Sequence, residues 1–328
     1  MSGGPDAGGS VDENGTDGSV DENGTDDESG PPVVRVPVPV DTRAPDGRTN
    51  AYLVGGLLVD PAARTNRLDA AVANHGVNAV AVTHTHPDHV GAVADYARET
   101  GATVYAHADH VDRFRSAVGV APDATFRDGD RLVAARRDRP RVTAVDTPGH
   151  AADHVAFAVA AAAPNATDGG AAVLPRTSLL VGDLAVAEGS VAVAGADADI
   201  RAYLRSLERV RDGGFDRLYP GHGAIIEEPE SVCQRLIDHR LDRERAVLAA
   251  VENGATDVEA IVESVYKTEL TGVADLARAT VLAHLEALVA DGRIDEWPMA
   301  DRLRSTGDRE DDDQPTGDRE DDDQPTDE

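Results

Sequence analysis

A mixed α/β (α+β) domain followed by a helical one is the fold class that this sequence predicts. Short apolar runs, such as residues 79–82 and 179–181, alternate with segments whose apolar residues recur at helical spacing. Four of these runs end in turns that place a His or Asp beside Gly or Pro. After His222 the strand-like runs stop and helical spacing takes over.

Residues 33–40 alternate, and Pro37 and Pro39 confine them to a sheet edge, because proline cannot donate to a ladder. Residues 51–54 and 57–60 read as strands joined by Gly55-Gly56. Helices are predicted near 67–74, 90–100 and 109–117. Strands recur near 103–106, 131–134, 142–145, 155–160 and 179–181, with 164–176 an exposed loop. Leu204, Leu207 and Val210 give 200–210 a helical face, and 217–219 is the last strand. Pro229 opens a helix through Val232, Leu236 and Leu241 towards Val247-Leu248. Thr256-Asp257 caps 258–266, and a helix over 274–289 ends in Asp291-Gly292-Arg293-Ile294, a turn into a wing.

The turn after 79–82 reads Thr83-His84-Thr85-His86-Pro87-Asp88-His89-Val90-Gly91. Its three imidazoles and one carboxylate are the donor mixture that borderline divalent cations such as Zn²⁺ take. His84 and His86, two apart in extended chain, point the same way, whereas Asp88 and His89 come from a helix start. A merely solvated turn does not account for four ligand-type residues this close. Three other turns hold single ligands: His150 after Pro148-Gly149, Asp183 after Gly182, and His222 between Gly221 and Gly223. Glycine there allows a tight turn or a close backbone approach. His84, His86, Asp88, His89, His150, Asp183 and His222 exceed what one tetrahedral zinc holds. They suit two metal ions, with Asp183 the bridging carboxylate.

The order His-x-His-x-Asp-His, Pro-Gly-His, Gly-Asp, Pro-Gly-His-Gly resembles the metallo-β-lactamase-fold hydrolases, and their glyoxalase II-like branch more than the antibiotic-degrading enzymes. The resemblance covers residues 33–228 and implies an αββα sandwich with its site at one edge of two packed sheets. It also implies that His84, His86 and His150 hold one metal, Asp88, His89 and His222 the other, with Asp183 between them. Thr147-Pro148-Gly149-His150-Ala151-Ala152-Asp153-His154-Val155-Ala156, Tyr219-Pro220-Gly221-His222-Gly223, His239-Arg240 and Arg243-Glu244 are similar to the lactamase-beta-2-like subgroup. Its members carry a winged-helix-like helical domain and cleave single-stranded RNA or release polyketides as thioesterases. The expected layout is a catalytic domain at 33–228 and a winged-helix-like domain at 229–300, between tails at 1–32 and 301–328.

Of the net charge of −30 on 328 residues, residues 1–30 account for −9 and residues 306–328 for −10, leaving −11 between them. Both ends repeat short polar units, at 9–17 and 18–26, and at 307–316 and 317–326. Such segments bury too little apolar area to offset chain ordering, so both tails are expected to be disordered. Lys267 is the only lysine among 31 basic residues, and with the acidic surface this resembles proteins of salt-adapted cytoplasms. Partner-binding arms are the alternative role for the tails. No leader-like or membrane-length apolar stretch is seen, so a cytoplasmic, membrane-free protein is expected. Cys233 stands alone, which excludes an internal disulfide and predicts a packed thiol. Between Ala255 and Trp297 nine acids face three bases, whereas a phosphate-binding surface should be basic. Packing or homodimerisation is therefore expected of this region, and no duplex DNA.

His107-Ala108-Asp109-His110 imitates half of the metal motif, but Tyr105 stands where a further histidine is needed, so it reads as a helix start. His154 is expected either to orient a ligand or to bond within its strand. His75, His239 and His284 lack ligand spacing and are expected at the surface or in caps.

Two ions about 3.5–4 Å apart would hold a bridging water and lower its pKa to about 7, for attack on a carbonyl carbon or a phosphorus. Asp88 would be the catalytic residue, binding metal and orienting that water. The expected reaction is hydrolysis of a thioester or related small acyl compound. A single-stranded RNA endoribonuclease is the alternative, and a non-catalytic binding or regulatory module a third reading. Zn²⁺ is the default cofactor, with iron or manganese not separated by ligand type.

Overall fold

The computed structural model describes residues 33–132, 140–161, 177–267 and 270–295. Both tails, the loop expected at 164–176, the end of the strand expected at 131–134 and the wing beyond Asp295 lie outside the described residues.

A six-stranded sheet follows chain order: β1 (Val34–Pro39), β2 (Arg48–Val54), β3 (Leu57–Val59), β4 (Ala79–Ala81), β5 (Thr103–His107) and β6 (Ala124–Phe126). β1 to β3 are antiparallel, and β3 to β6 run parallel. β1 is an edge strand, as Pro37 and Pro39 require. β3 and β4 are buried along their whole length, which is why they read as continuous apolar runs. The second sheet has the order β10-β9-β8-β7, with β7 (Arg141–Asp146), β8 (Val155–Ala160), β9 (Thr177–Gly182) and β10 (Arg217–Pro220). β9 and β10 are parallel, and the other pairs are antiparallel.

The sheets pack face to face through Tyr52, Val54, Leu57 and Phe126 on one side and Val142, Phe157, Leu180 and Tyr219 on the other. Tyr52 and Tyr219 meet edge to face at 5.7 Å, as do Phe126 and Phe157 at 5.8 Å. Helices cover both outer faces. α1 (Asn66–His75), the single turn α2 (Pro87–Val90), α3 (Val93–Thr100) and α4 (Val111–Val118) lie by the six-stranded sheet, with Leu68, Val72, Val90, Tyr96 and Phe114 in its outer core. α5 (Ile200–Arg211) and α6 (Pro229–Glu252) cover the other with Tyr203, Leu207, Val210, Leu236 and Ile237. The layer order is thus αββα.

α6 is one helix of 24 residues. Its first half packs on α5; its second half packs with α7 (Val258–Val265) and α8 (Ala274–Ala290) through Val247, Val258, Ile261, Val281, Leu285 and Leu288. The expected cap is present: the Ala260 N–H donates to Asp257 Oδ1 at 2.9 Å. Cys233 is a buried free thiol, and burial pushes it up to about 12. Among the described residues no helix is long and apolar enough to cross a membrane.

Three expectations are corrected. The helix expected over 90–100 is broken, because Ala92 N–H donates to Pro61 O, and a side chain at Gly91 would collide with the Ala62 carbonyl. The strand β6 is unexpected; it has three residues and a single buried one, too little for a period to show. His284 is neither at the surface nor in a cap. It is fully buried on α8, whose neighbours enclose it, and burial pushes its pKa down to about 3. His75 does cap, its Nδ1 donating to Ala71 O at 2.7 Å.

Candidate metal centre

Every expected ligand lies just beyond a strand end, at one edge of the sandwich. His84 and His86 follow β4, with Asp88 and His89 in α2; His150 follows β7, Asp183 follows β9, and His222 follows β10. The structure brings all seven together. The donor atoms of His84, His86 and His150 lie within 4.8 Å of one another, as do those of Asp88, His89 and His222, and those of His84, His89 and Asp183. His84 Nε2 and His150 Nε2 stand 2.9 and 3.0 Å from His86 Nδ1. Asp183 spans both groups: its Oδ1 is 3.6 Å from His89 Nε2, and its Oδ2 is 3.2 Å from His222 Nε2 and 3.7 Å from His150 Nε2.

The outer hydrogen bonds assign the tautomers. His150 Nδ1 donates to Ala192 O at 2.8 Å, and His222 Nδ1 to Arg48 O at 2.7 Å. His89 Nδ1 donates to Asp60 Oδ2 at 3.0 Å, and His84 Nδ1 to Thr83 Oγ1 at 3.1 Å. With Nδ1 so engaged, the neutral form of each of the four rings turns an Nε2 lone pair inward. Converging lone pairs repel unless a cation lies between them. His89 Nε2 and Asp183 Oδ1 are also buried without a hydrogen-bond partner, which costs free energy unless something fills the gap. Nitrogen and oxygen donors arranged in this way fit divalent metal ions.

Charge separates the rings. Burial pushes His84 well below the ordinary imidazole range and His86 down to about 4. Burial opposes charge on His89 too, but Asp183 and Asp60 outweigh it and raise its pKa well above normal. His222 is likewise raised against burial by Asp183. Burial would raise Asp183, yet His89 and His222 hold it well below the usual carboxylate range.

Sequence reasoning missed Asp60. It is buried at the end of β3, takes the Thr83 N–H and O–H at 2.7 Å each, and fixes His89. Its φ of 51° is the one left-handed value among the described non-glycine residues, strain held by those bonds. Its signal was an acid closing the apolar run Leu57-Leu58-Val59, the same pattern that marks Asp183. Thr42, also missed, donates to Asp88 Oδ2 at 2.6 Å. His154 works through the main chain: its Nε2 accepts the Asp183 N–H at 3.1 Å, and its Nδ1 donates to Thr147 O. Gly221 is required, since a Cβ there would collide with Asp183 Oδ1. His107 stands outside the centre, 3.2 Å from Asp146, and Asp109 pairs with Arg127.

A cavity of about 570 Å³ opens on Asp183, His150 and His222. Its walls are the 42–45 loop, the 186–194 loop and the helices α6 and α8. His239 lines it, half-buried, where a surface or capping place was expected.

The sequence pattern of the metallo-beta-lactamase superfamily matches residues 44–222, more than half of the chain. The chain belongs to that superfamily. Among similar members of known name, the Drosophila melanogaster beta-lactamase-like protein 2 homolog is 29% identical over 235 residues, covering 69% of this chain and 73% of that one. The Aspergillus fumigatus atrochrysone carboxyl ACP thioesterase is 29% identical over 218 residues, 62% of this chain. The match spans only 60% of that thioesterase's own length. A solved metallo-beta-lactamase family protein of Thermus thermophilus superposes with a TM-score of 0.60 at 26% identity, covering 79% of this chain and 94% of that one. The αββα architecture is therefore that of the superfamily.

Proposed function

We propose that this chain is a dinuclear, zinc-dependent hydrolase of a thioester or related small acyl compound. The hydrolase class follows from its superfamily. The dinuclear reading rests on one observation: two donor groups converge on either side of the shared carboxylate of Asp183. His84, His86 and His150 would hold one ion, and Asp88, His89 and His222 the other. Bound divalent ions supply Lewis acidity and a water of lowered pKa.

The chain's own residues do the rest. Asp60, Arg48 O, Ala192 O and Thr83 hold the imidazoles so that Nε2 faces inward. Thr42 donates to Asp88 Oδ2 and so fixes the carboxylate that would help hold the second ion and orient the attacking water. For the substrate, the support is the name of the Aspergillus thioesterase and a cavity lined by Val191, Leu270 and Leu276, apolar enough for an acyl chain.

The test is hydrolysis by purified, zinc-loaded protein in concentrated potassium chloride, the medium its acidic surface suits. An acyl thioester and a labelled single-stranded RNA are offered in parallel, with His84→Ala as control. Thioester turnover lost in the control, with two zinc ions per chain, is expected. RNA cleavage alone would sink the small-acyl reading in favour of an endoribonuclease.

A further inference from the structure

The segment His239-Arg240-x-x-Arg243-Glu244 has no part in the metal centre, yet its two arginines line the same cavity as His150 and Asp183. Three apart on α6, they share one helix face. Arg240 is only 3% exposed; one Nη donates to Val191 O, and its Nε is buried without a partner. Arg243 Nη1 is also buried without a partner. Among the described residues neither guanidinium meets a carboxylate, in a chain with 61 acids against 31 bases. The adjacent Glu244 is already engaged, by Arg201 at 2.5 Å and Arg293 at 2.7 Å. Besides Asp88 and Asp183, the only acid among the described residues lining the cavity is Glu188, which is exposed.

Aromatic faces hold the two groups. Arg243 Cζ lies 3.9 Å from the Tyr266 ring centre, and Arg240 Cζ 5.8 Å from that of Tyr203. Cation–π attraction holds a guanidinium without consuming its N–H donors. Buried guanidinium N–H groups without an acceptor are costly unless a partner arrives.

We infer that Arg240 and Arg243 form an anion-binding subsite, which takes a carboxylate or phosphate group carried by the substrate away from the bond that is hydrolysed. The nature of that substrate rests on the acyl-hydrolase reading; the anion site does not. The two arginines are specificity-determining residues, with half-buried His239 beside them.

The test compares substrates that differ in charge. S-acetyl-pantetheine against its phosphate monoester probes a phosphate, and S-butyryl- against S-succinyl-pantetheine probes a carboxylate. In the unaltered chain one anionic substrate is expected to have a KM about tenfold or more below its neutral counterpart, the scale of one charge-assisted bond. Arg243→Ala and Arg240→Ala should each remove most of that ratio, and Arg243→Lys should restore part of it. Arg245→Ala, on the same helix but paired with Asp242 outside the cavity, should keep it. No charge preference in either arm, or one that survives both alanine substitutions, overturns the inference. If no thioester is turned over, the acyl-hydrolase reading alone has failed. Calorimetric titration with phosphopantetheine and succinate then decides: binding lost in Arg243→Ala supports the subsite, and absent or unchanged binding overturns it. RNA cleavage that depends on these arginines would assign them to a nucleic-acid backbone and overturn the small-substrate assignment.

Discussion

His84, His86 and His150 form a triplet of nitrogens alone, whereas Asp88, His89 and His222 sit among carboxylates. In the first, burial strips protons from His84 and His86 and leaves neutral rings. In the second, Asp183 and Asp60 raise the pKa of His89, and Asp183 raises that of His222, in spite of burial. The same side chain, a few ångströms away, takes the opposite charge preference from what stands behind it. A cation entering the first triplet meets lone pairs; at the second it competes with protons over a wider range of pH.

The sharpest way to break this comparison is to remove what the triplets share. Asp183→Ala is expected to lower bound metal from two ions to at most one and turnover by more than about a thousandfold, beyond the 10–100-fold typical of an outer partner. Metal analysis and steady-state rates measure both, and full activity with two ions would contradict the assignment. Asp60→Asn should weaken the second ion, through its direct bond to His89, by about 10–100-fold, and the first, which it reaches only through Thr83 and His84, by less. Equal loss from both would show that they are not separable. Acidification should do the same reversibly. Protons compete at His89 and His222, whose pKa values are raised, long before they reach His86 at about 4. Stepwise dialysis from about pH 8 to 5.5 should therefore release the second ion first, and simultaneous release would refute the contrast. Cys233→Ala should leave metal content unchanged and lower stability by about 1 kcal/mol, read by thermal unfolding. In the folded chain that thiol, held near 12, should resist alkylation at about pH 8.

The candidate ligands were legible because each closes an apolar run beside Gly or Pro, a signal contained in a few consecutive residues. Asp60 carried the same signal, but its task appears only when β3 lies beside β4 and brings it to Thr83 and His89. Gly91 gave no sign of breaking a helix, since the reason is the Ala62 carbonyl, far back in the chain. His284 looked polar and hence external, until the packing of α8 enclosed it. Arg240 and Arg243 read as part of a resembling segment, and only the meeting of α6 with the 186–194 loop puts them in the cavity.

The candidate ligands are divided between the two sheets: β4 and α2 bring His84, His86, Asp88 and His89, while β7, β9 and β10 bring His150, Asp183 and His222. Ions held there would rivet the two halves of the sandwich across their seam. The halves could not part without releasing them, so resistance to heat would follow the supply of free metal. At free metal a hundredfold above Kd, each independent site adds about 2.7 kcal/mol to the folded state. A chelator would then act on this protein as a denaturant, and metal starvation would shorten its lifetime as well as stop its chemistry.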